Sequence, residues 1–186
     1  MMGTSSEEGA EAEVRGSKCE VRTWAFVALG SNLGEARENV LRAFRRLQEL
    51  SDQPSQRSSL WETTPVDCPP DSPRFVNAAV GLALRPGEAP ETLLAKLQAI
   101  EMEFGRKPKK LPNEPRPLDL DLIAFGEETR QTPELTVPHP RAHLRRFVLQ
   151  PLSEIAPDLV FPGRCETVNR LLEALPPDES MRKIAG

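Results

Sequence analysis

The sequence predicts an α+β fold in which an antiparallel sheet carries two helices on one face, with a helical extension toward the C-terminus. Three observations predict it. Short runs of strand-forming residues alternate with two segments whose apolar residues recur at helical spacing. Glycine or proline stands near most boundaries between these segments. The chain has 186 residues, a length that suits one domain with a substantial core.

The first two elements are a strand and a helix. Residues 21–29 are rich in strand formers and place alternate side chains on opposite faces before Gly30 ends the run. Within residues 35–50 the apolar side chains recur every three or four positions, which indicates an amphipathic helix. Ser31 or Asn32 is expected to cap this helix.

The next four elements complete a core of known topology. Residues 56–63 and 75–84 predict the second and third strands, of which the second has the weaker signal. A second helix is expected to begin at Pro90 and to end at Gly105. Residues 118–125 predict the fourth strand. The resulting order, β-α-β-β-α-β, is typical of the ferredoxin-like fold.

The two ends of the chain lie outside this core. Helices near residues 147–154 and 167–175 form the predicted C-terminal extension. Residues 1–20 contain five glutamates and no apolar run, so we expect a disordered N-terminal tail. We therefore expect residues 21–186 to form a single domain.

Composition excludes several classes of protein. No apolar run approaches the roughly 18 residues of a membrane span, and the N-terminus does not resemble a secretory signal. Cys19, Cys68 and Cys165 are odd in number and form no CxxC pair, which favours a reducing cytoplasm over a disulfide framework. The net charge of −4 argues against a nucleic-acid partner, and a monomer without membrane contact is expected.

The strongest local signal is a pair of carboxylates in the fourth strand. Asp119 and Asp121 are two residues apart, so both project from the same face of the strand. Such a pair suits Mg²⁺ ions that also bind substrate phosphates. An ordinary alternating strand with one wet face explains the pair equally well.

Five cations precede this pair and favour the phosphate interpretation over a merely solvated loop. They are Arg106, Lys107, Lys109, Lys110 and Arg116. The sequence contains no P-loop motif, and the glycines of residues 30–34 indicate a tight turn instead.

Two further groups of residues could contact ligands. His139 and His143 are four apart, but Pro138 and Pro140 argue against a shared helix face and therefore against zinc. Phosphate contacts are the better use of this segment, whose arginines are Arg141, Arg145 and Arg146. Phe75, Asn77 and Phe147 could hold a flat heteroaromatic ring by stacking and edge hydrogen bonds, although a single phenylalanine is more often part of the core.

Five segments together resemble the 6-hydroxymethyl-7,8-dihydropterin pyrophosphokinases. They are VALGSNLG at 27–34, FVNAAV at 75–80, PRPLDLDLIAFG at 115–126, LTVPHPRAHLRRFVLQPL at 135–152 and EIAPDLVFP at 154–162. The resemblance implies an enzyme of folate biosynthesis that transfers the terminal pyrophosphoryl group of ATP to the pterin hydroxymethyl group and releases AMP.

The resemblance also implies roles for individual residues. Asp119 and Asp121 would hold two Mg²⁺ ions and would form the catalytic group together with Arg106 and Arg116. The pterin would contact Thr63, Val66, Phe75, Asn77 and Phe147. ATP would contact Glu101, Arg106, Lys109, Arg116, Leu122, His139 and Arg145. The loop departs from the family at Pro108, where a second arginine is common, and at Glu114 and Pro117.

Two classes without catalysis share the predicted topology. An RNA-recognition domain should carry several aromatic residues on its third strand, whereas residues 75–84 contain only Phe75. A ligand-binding regulatory module is the remaining alternative, and it would bind its ligand without consuming ATP.

Overall fold

The computed structural model describes residues 22–65, 72–106 and 114–185. The predicted tail and two of the predicted site residues, Val66 and Lys109, lie outside these ranges. The strands are β1 (Trp24–Ser31), β2 (Gln56–Arg57), β3 (Leu60–Thr63), β4 (Phe75–Ala83), β5 (Asp119–Phe125), β6 (Arg130–Gln131), β7 (Thr136–Val137) and β8 (Arg182–Ile184). The helices are α1 (Ala36–Gln48), α2 (Pro90–Glu103), α3 (Arg146–Ile155) and α4 (Val168–Ala174), with a 3₁₀ turn at Ala142–Leu144.

The main sheet is antiparallel, as predicted. Its strand order is β5-β1-β4-β3-β8, and β2 also pairs with β4. β1 therefore lies at the centre of the long strands, between β5 and β4. The short strands β6 and β7 form a separate two-stranded sheet.

Helices cover both faces of the sheet. Side chains of β1 alternate, so that Val27 and Leu29 join one buried cluster while Phe26 joins another. The first cluster includes residues of α1 and α2, and the second includes residues of α3 and α4. The two predicted core helices thus share one face, and the C-terminal extension covers the other. Within the described ranges, none of the helices has both the length and the apolar character that crossing a bilayer requires.

The predicted second strand is interrupted. Arg57 pairs with Val80 and Trp61 pairs with Asn77, so four steps along the first strand match three steps along β4. One extra residue is therefore accommodated between β2 and β3, which is a β-bulge. Ser58 bonds to Ala79 across this interruption, through its backbone N–H at 3.0 Å and through its Oγ at 2.8 Å. A single strand over 56–63 was thus a wrong prediction.

Strands β6, β7 and β8 were not predicted from the sequence. Each is two or three residues long, which is too short for a side-chain period to be visible. β8 pairs with the edge strand β3, and this pairing joins the C-terminal segment to the main sheet.

A buried carboxylate connects α2 to β5. Glu101 is only 7% exposed and accepts a hydrogen bond of 2.7 Å from the backbone N–H of Leu120. It also forms an ion pair with Arg106. Burial raises the pKa of Glu101 from its usual 4.5 to about 7, even though both partners favour the charged form.

We predict that Leu97→Ala lowers the free energy of unfolding by about 2–5 kcal/mol, since the Leu97 side chain is fully buried between α2 and the sheet. Met102→Ala is the control on the same helix, because Met102 is 66% exposed and should change stability by less than about 0.5 kcal/mol. Urea denaturation followed by circular dichroism measures both. Equal losses in the two variants would contradict the packing described above.

We also predict that Glu101→Gln changes how stability depends on pH. Between about pH 4.5 and pH 7 the folded protein keeps a proton that the unfolded chain has released, so wild-type stability falls as pH rises through this window. Glutamine does not titrate but can still accept from Leu120. Relative to wild type, the variant should therefore gain up to about 3 kcal/mol from pH 4.5 to pH 8. Parallel stability curves for the two proteins would refute the raised pKa.

Candidate active site

A cavity of about 400 Å³ lies on the face of the sheet that α3 covers. Eight residues that were predicted as site residues line it: Thr63, Phe75, Asn77, Arg116, Asp119, Asp121, Arg145 and Phe147. Their positions in the chain are far apart, and the sheet brings them together. The prediction of a shared site is consistent with this arrangement, while the role of each residue remains a prediction.

The register of the strands places Asn77 and Asp119 on either side of the same residue of β1. Gly30 of β1 pairs with Asn77 of β4 on one side and with Asp119 of β5 on the other. A Cβ atom at Gly30 would lie 3.4 Å from Asn77 Oδ1, 3.8 Å from Phe75 Cδ1 and 3.9 Å from Asp119 Cβ. The absence of a side chain at Gly30 thus leaves the floor of the cavity open between the amide and the carboxylate.

Arginines compensate the carboxylate pair unevenly. Arg106 Nη1 lies 2.6 Å from Asp119 Oδ1, and Arg116 Nε lies 3.1 Å from Asp119 Oδ2. Arg145 Nη1 is 3.9 Å from Asp121 Oδ2, which is a looser contact. The Asp121 side chain is 40% exposed, but its exposed part faces the cavity, whose walls bury it from bulk solvent. This burial and the negative charge of Asp119 raise the pKa of Asp121.

Arg116 is held by the turn that follows β1. Asn32 Oδ1 accepts a hydrogen bond of 2.9 Å from the backbone N–H of Arg116, and Ser31 Oγ donates one of 2.7 Å to the carbonyl of Pro117. The prediction that Ser31 or Asn32 caps α1 is therefore wrong. The N-cap residue is Glu35, which forms no side-chain capping bond. The two polar side chains are buried and fix the loop before β5 instead.

One donor of Arg116 is left without a hydrogen bond. Its Nε atom is buried. Although this atom lies only 3.1 Å from Asp119 Oδ2, it forms no hydrogen bond with any described residue. A buried guanidinium donor of this kind favours an additional acceptor, such as a phosphate oxygen.

Phe75 and Phe147 both line the cavity, Phe75 from β4 and Phe147 from the start of α3. Asn77 Nδ2 donates a hydrogen bond of 2.8 Å to Thr63 Oγ1, so the amide nitrogen already has a partner. The Asn77 amide oxygen remains available to accept from a ligand N–H. This arrangement suits a flat ring with N–H groups on its edge.

His139 and His143 share the wall of a second cavity of about 320 Å³ and do not share a helix face. In the described part of the chain no three histidine, cysteine, aspartate or glutamate side chains cluster as a metal site would require. Burial lowers the pKa of His139, while the negative charge of Asp121 opposes this shift. His139 thus lies beside the carboxylate pair, outside the main cavity.

Arg146 lines the cavity, but its guanidinium is already bonded to the chain at the end of α4, and its contact with phosphate remains a prediction. Its Nε donates to the carbonyl of Pro176 at 2.7 Å, and its Nη2 donates to the carbonyls of Leu172 and Leu175 at 3.0 and 2.7 Å. These bonds satisfy the end of α4 and fix the chain that follows it. Sequence could not show this, because the acceptors lie about thirty residues away in the chain.

Besides His139, three predicted ATP contacts among the described residues lie outside the main cavity. Leu122 packs into the core on the opposite face of β5 from the carboxylates, and Glu101 is buried behind them. Arg106 approaches Asp119 from the end of α2. Their contacts with ATP remain predictions.

Seven cavity-lining residues were not predicted as site residues: Ala28, Leu29, Gly30, Thr64, Leu144, Val148 and Asp178. The available signal was Gly30, since a glycine inside a strand often marks a close approach to a ligand. Asp178 follows α4 in a segment without any pattern, so nothing in the sequence pointed to it.

The donor set fits a divalent cation. Asp119 and Asp121 line the same cavity, as their spacing predicted, and both supply the oxygen ligands that Mg²⁺ prefers. Among the described residues, Asp121 has only the 3.9 Å ion pair with Arg145, so its carboxylate can accept further positive charge.

The chain is similar to the proteins of one known family. The profile of the 7,8-dihydro-6-hydroxymethylpterin-pyrophosphokinase (HPPK) family matches residues 26–157. A 2-amino-4-hydroxy-6-hydroxymethyldihydropteridine pyrophosphokinase of Pseudomonas aeruginosa is 47% identical over 165 residues, covering 87% of this chain and 96% of the relative. The enzyme of the same name from Synechocystis is 40% identical over 149 residues, covering 80% of this chain and 74% of the relative.

Solved structures agree at the level of the fold. A Plasmodium falciparum HPPK-DHPS in complex with SDX-DHP aligns with a TM-score of 0.63 at 13% identity, covering 82% of this chain and 44% of that one. An HPPK-DHPS in complex with substrates aligns with a TM-score of 0.62, covering 82% and 43%. From the family profile and the curated relatives, the chain belongs to the 7,8-dihydro-6-hydroxymethylpterin-pyrophosphokinase family.

Proposed function

We propose that this protein transfers the terminal pyrophosphoryl group of ATP to the hydroxymethyl group of 6-hydroxymethyl-7,8-dihydropterin. The products are AMP and the pterin diphosphate, and the reaction belongs to folate biosynthesis. Family membership supports the activity. A regulatory module that only binds a ligand is not favoured, since the relatives are named as pyrophosphokinases.

The observation that carries the proposal is the composition of one cavity. A pair of phenylalanines with an amide occupies the β4 side, and a carboxylate pair with arginines occupies the β5 side. The first group suits a heteroaromatic ring, and the second suits a metal-bound polyphosphate. A pyrophosphoryl transfer to a pterin requires both at adjacent positions.

The chemistry is an in-line displacement at phosphorus. The hydroxymethyl oxygen forms a bond to the β-phosphorus of ATP and loses its proton, while the bond from that phosphorus to the oxygen bridging it to the α-phosphorus breaks. Phe75 and Phe147 would fix the ring so that its hydroxymethyl group faces Asp119 and Asp121. Positioning of this kind supplies a large part of the barrier reduction in phosphoryl transfer.

The arginines around the carboxylate pair would bind the phosphates. Arg116 has a buried donor to offer, and Arg106 and Arg145 lie on either side of the pair. Asp119 and Asp121 would hold two Mg²⁺ ions. When bound, the ions neutralise phosphate charge and activate the attacking hydroxyl.

Four broader features belong to the same proposal. The strand order β5-β1-β4-β3 and the two helices on one face support a ferredoxin-like core. The single domain over residues 21–186, the monomeric state and the cytoplasmic location remain predictions.

The direct test incubates the protein with ATP, Mg²⁺ and 6-hydroxymethyl-7,8-dihydropterin and separates the nucleotides by chromatography. We expect AMP that depends on the pterin. ADP would indicate an ordinary kinase, and a lack of turnover would contradict the proposal.

We predict that Asp121→Ala or Asp119→Ala lowers kcat at least about a hundredfold, because each removes a ligand of the metal ions that stabilise the transferring phosphates. Pterin affinity should change little, since the ring contacts lie on β4 and α3. Steady-state kinetics and fluorescence titration measure the two quantities. Asp158→Ala, at an exposed aspartate, is the control, and near-normal kcat in either cavity variant would refute the metal assignment.

We predict that Gly30→Ala raises the pterin Kd about tenfold, because the added methyl group fills the cavity floor beside Phe75 and Asn77. The protein should still fold, since the nearest atom to the new Cβ is at 3.4 Å. The unfolding midpoint and the ATP affinity are the internal controls. An unchanged pterin Kd would show that the ring does not lie over β1.

A further inference from the structure

The end of the cavity away from the carboxylate pair contains an acidic residue with no assigned role. Asp178 lines the cavity although it belongs to the C-terminal segment, between α4 and β8. It is half-buried and forms no ion pair with any described residue. Within the described ranges, Asp178 thus adds an unpaired carboxylate to the cavity that is proposed to bind the pterin ring.

The segment that contains Asp178 is firmly attached on both sides. Upstream, Arg146 binds three carbonyls between Leu172 and Pro176. Downstream, Ser180 Oγ is 2.8 Å from Thr64 Oγ1, and the Ser180 carbonyl accepts a hydrogen bond of 2.6 Å from Arg74 Nη2. The position of Asp178 is therefore set by the fold.

Only one oxygen of Asp178 is used within the described part of the chain. Oδ1 accepts from the backbone N–H of Ser180 at 2.9 Å and from Ser180 Oγ at 2.7 Å. No described residue donates to Oδ2. Since an ionised carboxylate is an acceptor only, this oxygen suits an N–H donor.

Sheet order places Asp178 and the carboxylate pair at opposite ends of the cavity. Asp119 and Asp121 lie on β5, and Thr63 lies three strands away on β3, which corresponds to roughly 14 Å at ordinary strand spacing. Thr64 follows β3 directly and is linked to Asp178 through Ser180. Asp178 thus lies at the β3 end.

The substrate has matching chemistry at its two ends. Its hydroxymethyl group, which must face Asp119 and Asp121, projects from one ring, and the 2-amino group and N3–H lie at the far end of the other ring. On the basis of the proposed function, we infer that Asp178 accepts a hydrogen bond from the 2-amino group at this end. Asp178 is thus a specificity-determining residue that selects 2-amino heterocycles and aligns the hydroxyl with the carboxylate pair.

The test compares two ligands on matched variants. Kd values for 6-hydroxymethyl-7,8-dihydropterin and for its analogue without the 2-amino group are measured by fluorescence titration on wild type and Asp178→Asn. We expect Asp178→Asn to weaken the pterin by roughly tenfold to a hundredfold, as for a lost hydrogen bond to a charged group. The analogue should lose less than about threefold, because it lacks the donor.

Two control variants distinguish a direct contact between Asp178 and the ligand from an indirect effect on the segment that contains Asp178. Ser180→Ala removes the hydroxyl that supports the segment but keeps the Asp178 carboxylate, and Glu179→Gln removes a neighbouring exposed charge. Both should keep a near-normal preference for the amino-bearing ligand. If Asp178→Asn does not fold, Asp178→Glu replaces it and should also reduce that preference.

The inference is overturned if Asp178→Asn leaves the pterin Kd unchanged, or if it weakens both ligands equally, as Ser180→Ala would through a loosened segment. Its failure is distinct from failure of the proposed function. A wild-type protein that forms no AMP contradicts the function, whereas one that forms AMP and tolerates Asp178→Asn contradicts only the inference about Asp178.

Discussion

The register of β1 against β4 and β5 is the constraint on which the site depends. It aligns Gly30 with Asn77 on one side and with Asp119 on the other, so the ring contacts and the carboxylates share one face. A slip of one residue would turn every side chain of one strand to the opposite face. The ring-binding group and the carboxylate pair would then lie on different sides of the sheet. The buried alternation of all three strands prevents this slip.

Electrostatic balance is the second condition. Asp119 and Asp121 repel each other, and Arg106, Arg116 and Arg145 compensate them without covering the cavity. These arginines come from the end of α2, from the loop before β5 and from the start of α3. The polar turn after β1 keeps Arg116 beside Asp119 through bonds to the backbone of Arg116 and Pro117. These bonds fix the position of Arg116 although it belongs to a loop.

Sequence predicted the parts of the fold that have a repeating pattern. The main helices and long strands appear within a few residues of the predicted bounds, because side-chain alternation and helical spacing are local properties. The bulge near Ser58 and the short strand β8 were not visible. A bulge is defined by the partner strand, and three residues cannot display a period. The prediction that Asn32 caps α1 was wrong for the same reason, and the bonds of Arg146 were not visible either, since the partners of both residues are distant in the chain.

By itself, the sequence determined which chemical groups are available: two carboxylates on one strand face, cations before them, and aromatic and amide residues that suit a ring. Residue type and spacing decide these properties. Only the tertiary structure decided which groups act together. It placed Leu122 in the core, bonded Arg146 to the end of α4, and added Gly30 and Asp178 to the cavity lining. The physical reason is that a binding site is defined by distances through space, and these depend on strand order and register.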